Sequence, residues 1–285
     1  METITVATAV NENYIFPMAV MMRSVAQSLT ADAIVNFRIM TVGLSHKSRS
    51  ELDRSLDGLS LEYEEVIIDA SVLHSLKVDR HVTLETYFRL LLPQYLQDLE
   101  KVLYLDIDLI VRHSVHEIFR EELLGAHLLA VPHASRRSGF FGSERGVPSY
   151  ASLGIPAMTR TFNAGVMLLN LEAWRATDTT RCILQYLRDY RDQVLWWDQD
   201  GLNAVLYNKW RPLAAKWNVM ASHFADFTEW QDSLLDAAIF EAIRRDPGIV
   251  HYSNSPKPWK LEYRGPFLEY WRAASAAIEQ HTESV

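Results

Sequence analysis

The sequence has a single cysteine, Cys182, so no internal disulfide is available and a reducing compartment suits the chain. No stretch approaches ~18 consecutive apolar residues, so nothing reads as a membrane span. The opening METITVATAVNENY lacks both a basic start and a long apolar stretch, and does not read as a signal peptide. Positive charge is short: 28 Lys and Arg stand against 36 Asp and Glu, a net charge of −8. Non-specific nucleic-acid binding rests on a basic surface, so nucleic acid is not expected as a partner. An anionic ligand would need a metal or a few local donors to supply the missing charge. The usual phosphate-cradling loops are also absent, since neither G-x-x-x-x-G-K-[ST] nor G-x-G-x-x-G occurs.

What is present is an ordinary globular composition, 48% hydrophobic and 22% charged over 285 residues. Apolar, β-rich runs alternate with helical patterns, which predicts an α/β fold with a mostly parallel sheet flanked by helices. Strands are expected at residues 4–10, 35–42, 61–68, 102–105, 128–131, 166–169 and 249–252. Helices are expected at 17–29, with Pro17 in its first turn, at 45–59, and at 84–96 around Pro93. Thr177 and Asp178 are candidate caps for a helix reaching Arg191. Residues 133–161 break the pattern with four glycines, two prolines and four arginines. A stretch that long without periodicity reads as a loop lining a site on the acceptor side.

VLYLDIDLIV, residues 102–111, places Asp106 and Asp108 inside an apolar run. Side chains two apart in an extended strand share a side, so the two carboxylates can aim at one point. Unpaired in apolar surroundings they would cost several kcal/mol each, which a divalent cation with hard oxygen ligands would offset. Ends of parallel strands are where open α/β sheets place ligands. A second acidic triplet, Asp198-Gln199-Asp200, has an apolar run on its N-terminal side only; there Asp198 also reads as a cap for a helix beginning at Asp200. Two chemistries would use the first pair: a haloacid-dehalogenase-like phosphohydrolase with Asp106 as nucleophile, or a metal site holding a diphosphate. The first normally wants a small residue and then Thr or Val after the second acid, where this chain has Leu109 and Ile110.

Six blocks in order resemble the family 8 glycosyltransferases of the lipopolysaccharide galactosyl- and glucosyltransferase type. They are NENY (11–14), TYFRL (86–90), EKVLYLDID (100–108), FNAGV (162–166), DQD with Leu202 and Asn203, and His251-Tyr252 with KPW (257–259). The resemblance spans roughly residues 4–262. It implies a GT-A fold with a Rossmann-like mixed sheet. It also implies retaining transfer of galactose or glucose from a UDP-sugar to a hydroxyl of a glycan or lipid-linked acceptor, as in lipopolysaccharide synthesis. Asp106, Asp108 and His251 would hold Mn²⁺ or Mg²⁺, and mixed oxygen and nitrogen ligation suits Mn²⁺. Ala9, Asn11, Asn13, Tyr14, Arg89, Ile107, Asn163, Ala164 and Asn254 would line the donor with Asp106. Asp198 and Gln199 would lie beneath the sugar, and Lys257 would stabilise the departing diphosphate; these three are the candidate catalytic residues. An amide side chain at Gln199 is a poor nucleophile, which favours front-face substitution over double displacement.

On the same footing, residues 1–265 form the catalytic domain, with 1–130 its nucleotide-binding half, 131–265 its acceptor-side half, and 266–285 a helical tail. The loop at 133–161 and the region 210–240 would vary with the acceptor. Asn11 stands where relatives often carry Asp. Asn254 stands where the family usually has Gly, a position at which tolerance of left-handed φ would help. The terminus after FLEYWR lacks a basic aromatic tail and carries Glu279 and Glu283, which opposes electrostatic attachment to a membrane. The chain is therefore expected in the cytoplasm, with peripheral contact at the inner membrane face as the alternative. A non-catalytic nucleotide-sugar binder is the third reading, for which Asn254 is the one hint.

Overall fold

Among the described residues ten strands organise the fold: β1 Glu2–Ala9, β2 Ala33–Thr41, β3 Leu61–Ile67, β4 Lys101–Leu105, β5 Leu109–Val111, β6 Leu128–Pro132, β7 Phe162–Asn170, β8 Trp210–Pro212, β9 Val219–Met220 and β10 Ile249–His251. The structure is a computed structural model describing residues 2–30, 33–79, 82–226 and 229–283, with side chains described to residue 278. Glu279 and Glu283, and residues 227–228 of the 210–240 region, thus lie outside the described side chains or residues.

Seven strands form one mixed sheet in the order β3-β2-β1-β4-β7-β6-β8, and β5-β10-β9 form a second, small one. In the large sheet only β7 runs antiparallel to its neighbours, β4 and β6. β1 is buried from Ile4 to Ala9, the near-continuous apolar run of a strand covered on both faces. The edge strand β3 alternates instead, and its exposed Glu62 and Glu64 discourage pairing with another chain. Side chains of β4 feed two cores in turn: Leu103 and Leu105 enter one, Val102 and Tyr104 the other. The proposed halves share this one sheet, since β6 to β8 continue it beyond β4. The C-terminal helix, Leu268–Glu283, buries Trp271 and Ile278 in the same core as the helix Ile15–Ser28.

Most expected strands and helices stand within one or two residues of their expected ends. The helix expected at 84–96 is instead a 3-10 helix, Leu84–Leu91, followed by one α-turn, Leu92–Tyr95, with Pro93 in that turn's first positions. Proline has no N–H to give and its ring crowds the carbonyl four residues back, so it starts a helix more easily than it continues one. The helix after Asp178 runs Thr179–Asp189, and the Asp178 carboxylate pairs with Arg181 rather than capping it. Between 133 and 161 the described structure holds only the 3-10 turn Pro148–Tyr150 and two isolated bridges, Ser135 to Ser233 and Phe140 to Arg160.

Candidate active site

Asp106 and Asp108 do not lie on one continuous strand. β4 ends at Leu105, the chain leaves the large sheet through Asp106 to Asp108, and β5 enters the small sheet at Leu109. Register then explains what meets them. β10 runs antiparallel to β5 with His251 opposite Leu109, and Tyr252 N–H donates to the Asp108 carbonyl at 3.0 Å. His251 is thereby delivered to the acids from 143 residues away. Its Nε2 lies 3.3 Å from Asp108 Oδ1 and 3.7 Å from Asp106 Oδ2. One ligand atom from each of the three residues falls within 4.8 Å of the others. Gly165 leaves the room for this approach: a Cβ there would sit 2.4 Å from His251 Cε1 and 2.8 Å from Asp106 Oδ2. Two carboxylates and an imidazole in a space kept clear by glycine fit a divalent cation.

Arg89 organises the acids from below. Its guanidinium is buried, ion-paired to Asp106 Oδ1 at 2.8 Å and to Asp198 Oδ2 at 3.1 Å. It also donates to the Ala164 carbonyl at 2.7 Å and stacks 4.4 Å over the Tyr104 ring, whose hydroxyl donates to Asp106 at 3.1 Å. Burial pushes Asp198 up to about 6 despite Arg89, with Asp106 adding to the push. Burial also opposes ionisation of Asp108, but Lys257 and His251 outweigh it and hold that carboxyl well below the usual range. Lys257 Nζ donates to Asp108 Oδ2 at 2.6 Å and to the Tyr252 carbonyl at 2.8 Å.

These groups line one cleft of about 330 Å³, within the range of small-molecule sites. The adjacent carboxyl ends of the parallel strands β1 and β4 open into it, bringing Ala9, Asn11 and Tyr14 beside Asp106, Ile107 and Asp108. Arg89, Asn163, Ala164, Asp198, Gln199, His251, Asn254 and Lys257 complete the set expected from the sequence. Asn13 is exposed and is not among the walls; its N–H donates to Asn11 Oδ1 at 3.0 Å, so the NEN turn caps itself. The loop after β6 contributes His133, Ser135, Arg137, Ser138 and Arg145. Asn254 is exposed at the rim, and the positive-φ non-glycine residues among those described are Leu124, Asp178, Trp197 and Phe267. No left-handed backbone is therefore asked of Asn254. Asp198 does not cap a helix beginning at Asp200: the helix is Asp198–Leu206, with Asp198 its first residue. Asp200 instead accepts the N–H groups of Leu195 and Trp196, at 2.7 and 3.2 Å, and secures the turn before it.

Gln199 reaches neighbouring amides rather than open space. Its Oε1 accepts Asn163 Nδ2 at 3.0 Å and Ala164 N–H at 3.1 Å, and its Nε2 lies 3.3 Å from His133 Nε2. Asn218 links Asn163 to His251, at 2.8 and 2.9 Å. Sequence reasoning missed Asn218, which sits in the unremarkable KWNV, and saw His133 only as the start of a loop.

The sheet order, the switch between sheets and the acids at that switch define a GT-A fold. Glycosyl transferase family 8 matches residues 5–262, so the chain belongs to that family of glycosyltransferases. It is 20% identical over 94% of its length to General stress protein A of Bacillus subtilis, covering 91% of that protein. It is 26% identical over 95% of its length to the lipopolysaccharide 1,3-galactosyltransferase of Salmonella typhimurium, covering 77% of it. The crystal structure of galactosyltransferase LgtC in complex with donor and acceptor sugar analogs superposes with a TM-score of 0.79, at 24% identity and 96% coverage of both chains. These matches do not favour the phosphohydrolase reading. Among the described residues no helix is long and apolar enough to cross a membrane.

Proposed function

We propose that the protein transfers galactose or glucose from a UDP-sugar to a glycan hydroxyl with retention of anomeric configuration. The observation that carries this reading is the meeting of Asp106, Asp108 and His251 beside Lys257 in the cleft of a family 8 chain. Bound by those three ligands, Mn²⁺ or Mg²⁺ would neutralise diphosphate charge, with Mn²⁺ favoured by the mixed ligand set.

The chain's own residues do the rest. Lys257 exchanges its contact with Asp108 for the diphosphate and stabilises the charge that builds as the sugar bond breaks. Asn11, Tyr14 and Ile107 flank the uridine end, and Asn163, Ala164 and Asp198 hold the sugar. Arg89 keeps Asp106 and Asp198 in place. Gln199 is unsuited to nucleophilic attack, because its carbonyl oxygen already accepts two hydrogen bonds. That supports front-face substitution, in which the departing diphosphate takes the acceptor's proton. The arginine-bearing loop after β6 faces the acceptor.

The test is release of UDP from UDP-galactose and UDP-glucose in Mn²⁺, first by slow hydrolysis and then with candidate glycan acceptors. Slow metal-dependent UDP release is expected. Failure to bind UDP with or without metal would sink the reading, and UDP binding without transfer to any acceptor would mark a binder rather than an enzyme.

A further inference from the structure

Five side chains from five separate segments form an unbroken chain of hydrogen bonds along the wall of the cleft, Asn218 alone among them lying behind it. His251 ends β10, Asn218 ends the 3-10 turn Ala215–Asn218, Asn163 lies in β7, Gln199 in the helix Asp198–Leu206, and His133 follows β6. The links are His251 Nδ1 to Asn218 Oδ1 at 2.9 Å, Asn218 Nδ2 to Asn163 Oδ1 at 2.8 Å, and Asn163 Nδ2 to Gln199 Oε1 at 3.0 Å. The last joins Gln199 Nε2 to His133 Nε2 at 3.3 Å.

The direction of every link is fixed by backbone. An N–H only donates, and Gly165 N–H points at Asn163 Oδ1 while Ala164 N–H points at Gln199 Oε1, at 3.0 and 3.1 Å. Those two atoms must therefore be oxygens. The Asn218 atom facing Asn163 Oδ1 must then be its amino group, which leaves its carbonyl toward His251. His251 Nδ1 consequently carries hydrogen, and its Nε2, turned toward Asp106 and Asp108, is free to give a lone pair to a cation. At the other end the Gln199 amino group meets His133, so His133 Nε2 must be a bare acceptor. Burial, with His223, Arg160 and His251 nearby, pushes His133 down to about 3, so it is neutral, and its one hydrogen then sits on the buried Nδ1, which has no hydrogen-bond partner among the described residues.

We infer that Asn218, bonded to His251 Nδ1, and His133, bonded to Gln199 Nε2, are positioning residues that fix the metal-facing Nε2 of His251 and the amide of Gln199 as one oriented unit, so that the cation site and the sugar site form together. This rests on the metal and donor reading above for its consequence, but not for its geometry. Hydrogen-bonded partners behind a ligating histidine typically change metal affinity about 10- to 100-fold when removed. Coupling over several links is weaker.

Two measurements test it. Mn²⁺ affinity, read from the free-ion electron paramagnetic resonance signal with UDP present, should fall about 10- to 100-fold in Asn218→Ala. In His133→Leu it should fall about threefold or more, although His133 touches no proposed ligand. Wild-type affinity in either variant would overturn the coupling. The second measurement needs no substitution: ¹⁵N spectra of histidine-labelled, metal-free protein at pH 7 should show His133 neutral, protonated on Nδ1 and bare on Nε2. A proton on Nε2 would break the last link and overturn the inference. If the wild-type protein bound no Mn²⁺, the metal reading would fall, while the His133 spectrum would still decide the chain of amides.

Discussion

Gly165→Ala isolates the metal site with a single carbon. The added Cβ would lie 2.4 Å from His251 Cε1, 2.8 Å from Asp106 Oδ2 and 2.9 Å from His251 Nδ1. Non-bonded carbons settle at about 3.5 Å or more, so His251 or β7 must yield by roughly 1 Å. Neither moves freely. β7 is the antiparallel strand between β4 and β6, while His251 is held in β10 and tied to Asn218. Overpacking of this kind costs about 1–3 kcal/mol, a thermal shift of only a few degrees in a chain this long. The effect on binding should be far larger, because ligand distances tolerate only about 0.2 Å. Calorimetric titration of Mn²⁺ in the presence of UDP should show affinity lowered at least tenfold, with the far-ultraviolet spectrum unchanged. A folded Gly165→Ala protein with wild-type Mn²⁺ affinity would refute the placement of His251 and Asp106 around one cation.

Other outcomes follow from the charges. Arg89→Met should destabilise the protein by about 3–5 kcal/mol in urea unfolding, because it leaves the Asp198 carboxylate buried without its cation; a loss below about 1 kcal/mol would show that Arg89 does not hold the acids. Burial raises Asp200 to about 7, outweighing the N–H groups of Leu195 and Trp196 that favour its charged form. A carboxyl raised on folding stabilises the fold below its unfolded value near 4 and loses that contribution as pH rises through 7. His133 and His223, pushed down by burial to about 3 and 4, work in the opposite direction below pH ~6.5, so the wild-type profile alone is uninformative. The difference between Asp200→Asn and wild type should instead grow in the variant's favour by about 1.4 kcal/mol per pH unit from roughly pH 4 to 7 and then level off. Parallel profiles would refute the buried-acid account.

Seven of the strands and the identity of the acids were legible in the sequence because both write themselves as local pattern, whereas the two- and three-residue strands β5, β8 and β9 are too short to do so. β1 and β4 are short apolar runs with acids or amides at their carboxyl ends, and DID stands out against VLYL and LIV. His251 and Lys257 were legible only through the family's spacing, since their meeting with Asp108 depends on β5 and β10 pairing across the chain. The apolar spacing of 84–96 suits one α-helix, so the 3-10 geometry of Leu84–Leu91 and the fresh start at Leu92–Tyr95 around Pro93 are not legible from it. Asp198 was given a capping role because an acid before a helical pattern usually caps; here Trp197 takes the cap position with φ 50° and Asp198 turns to Arg89. The chain of amides left no trace. Asn218 and His133 carry no motif, and their roles exist only once five segments meet.

The central claim is that Asp106, Asp108 and His251 hold a cation on which the nucleotide depends. Titration of UDP into the wild-type protein and into Asp108→Asn, each with and without Mn²⁺, tests it most directly. The account predicts tight binding to the wild type only with Mn²⁺, and no metal-dependent gain in the variant, whose fold should be retained. Equal UDP affinity with and without Mn²⁺ in the wild-type protein, or an undiminished metal effect in Asp108→Asn, would contradict it.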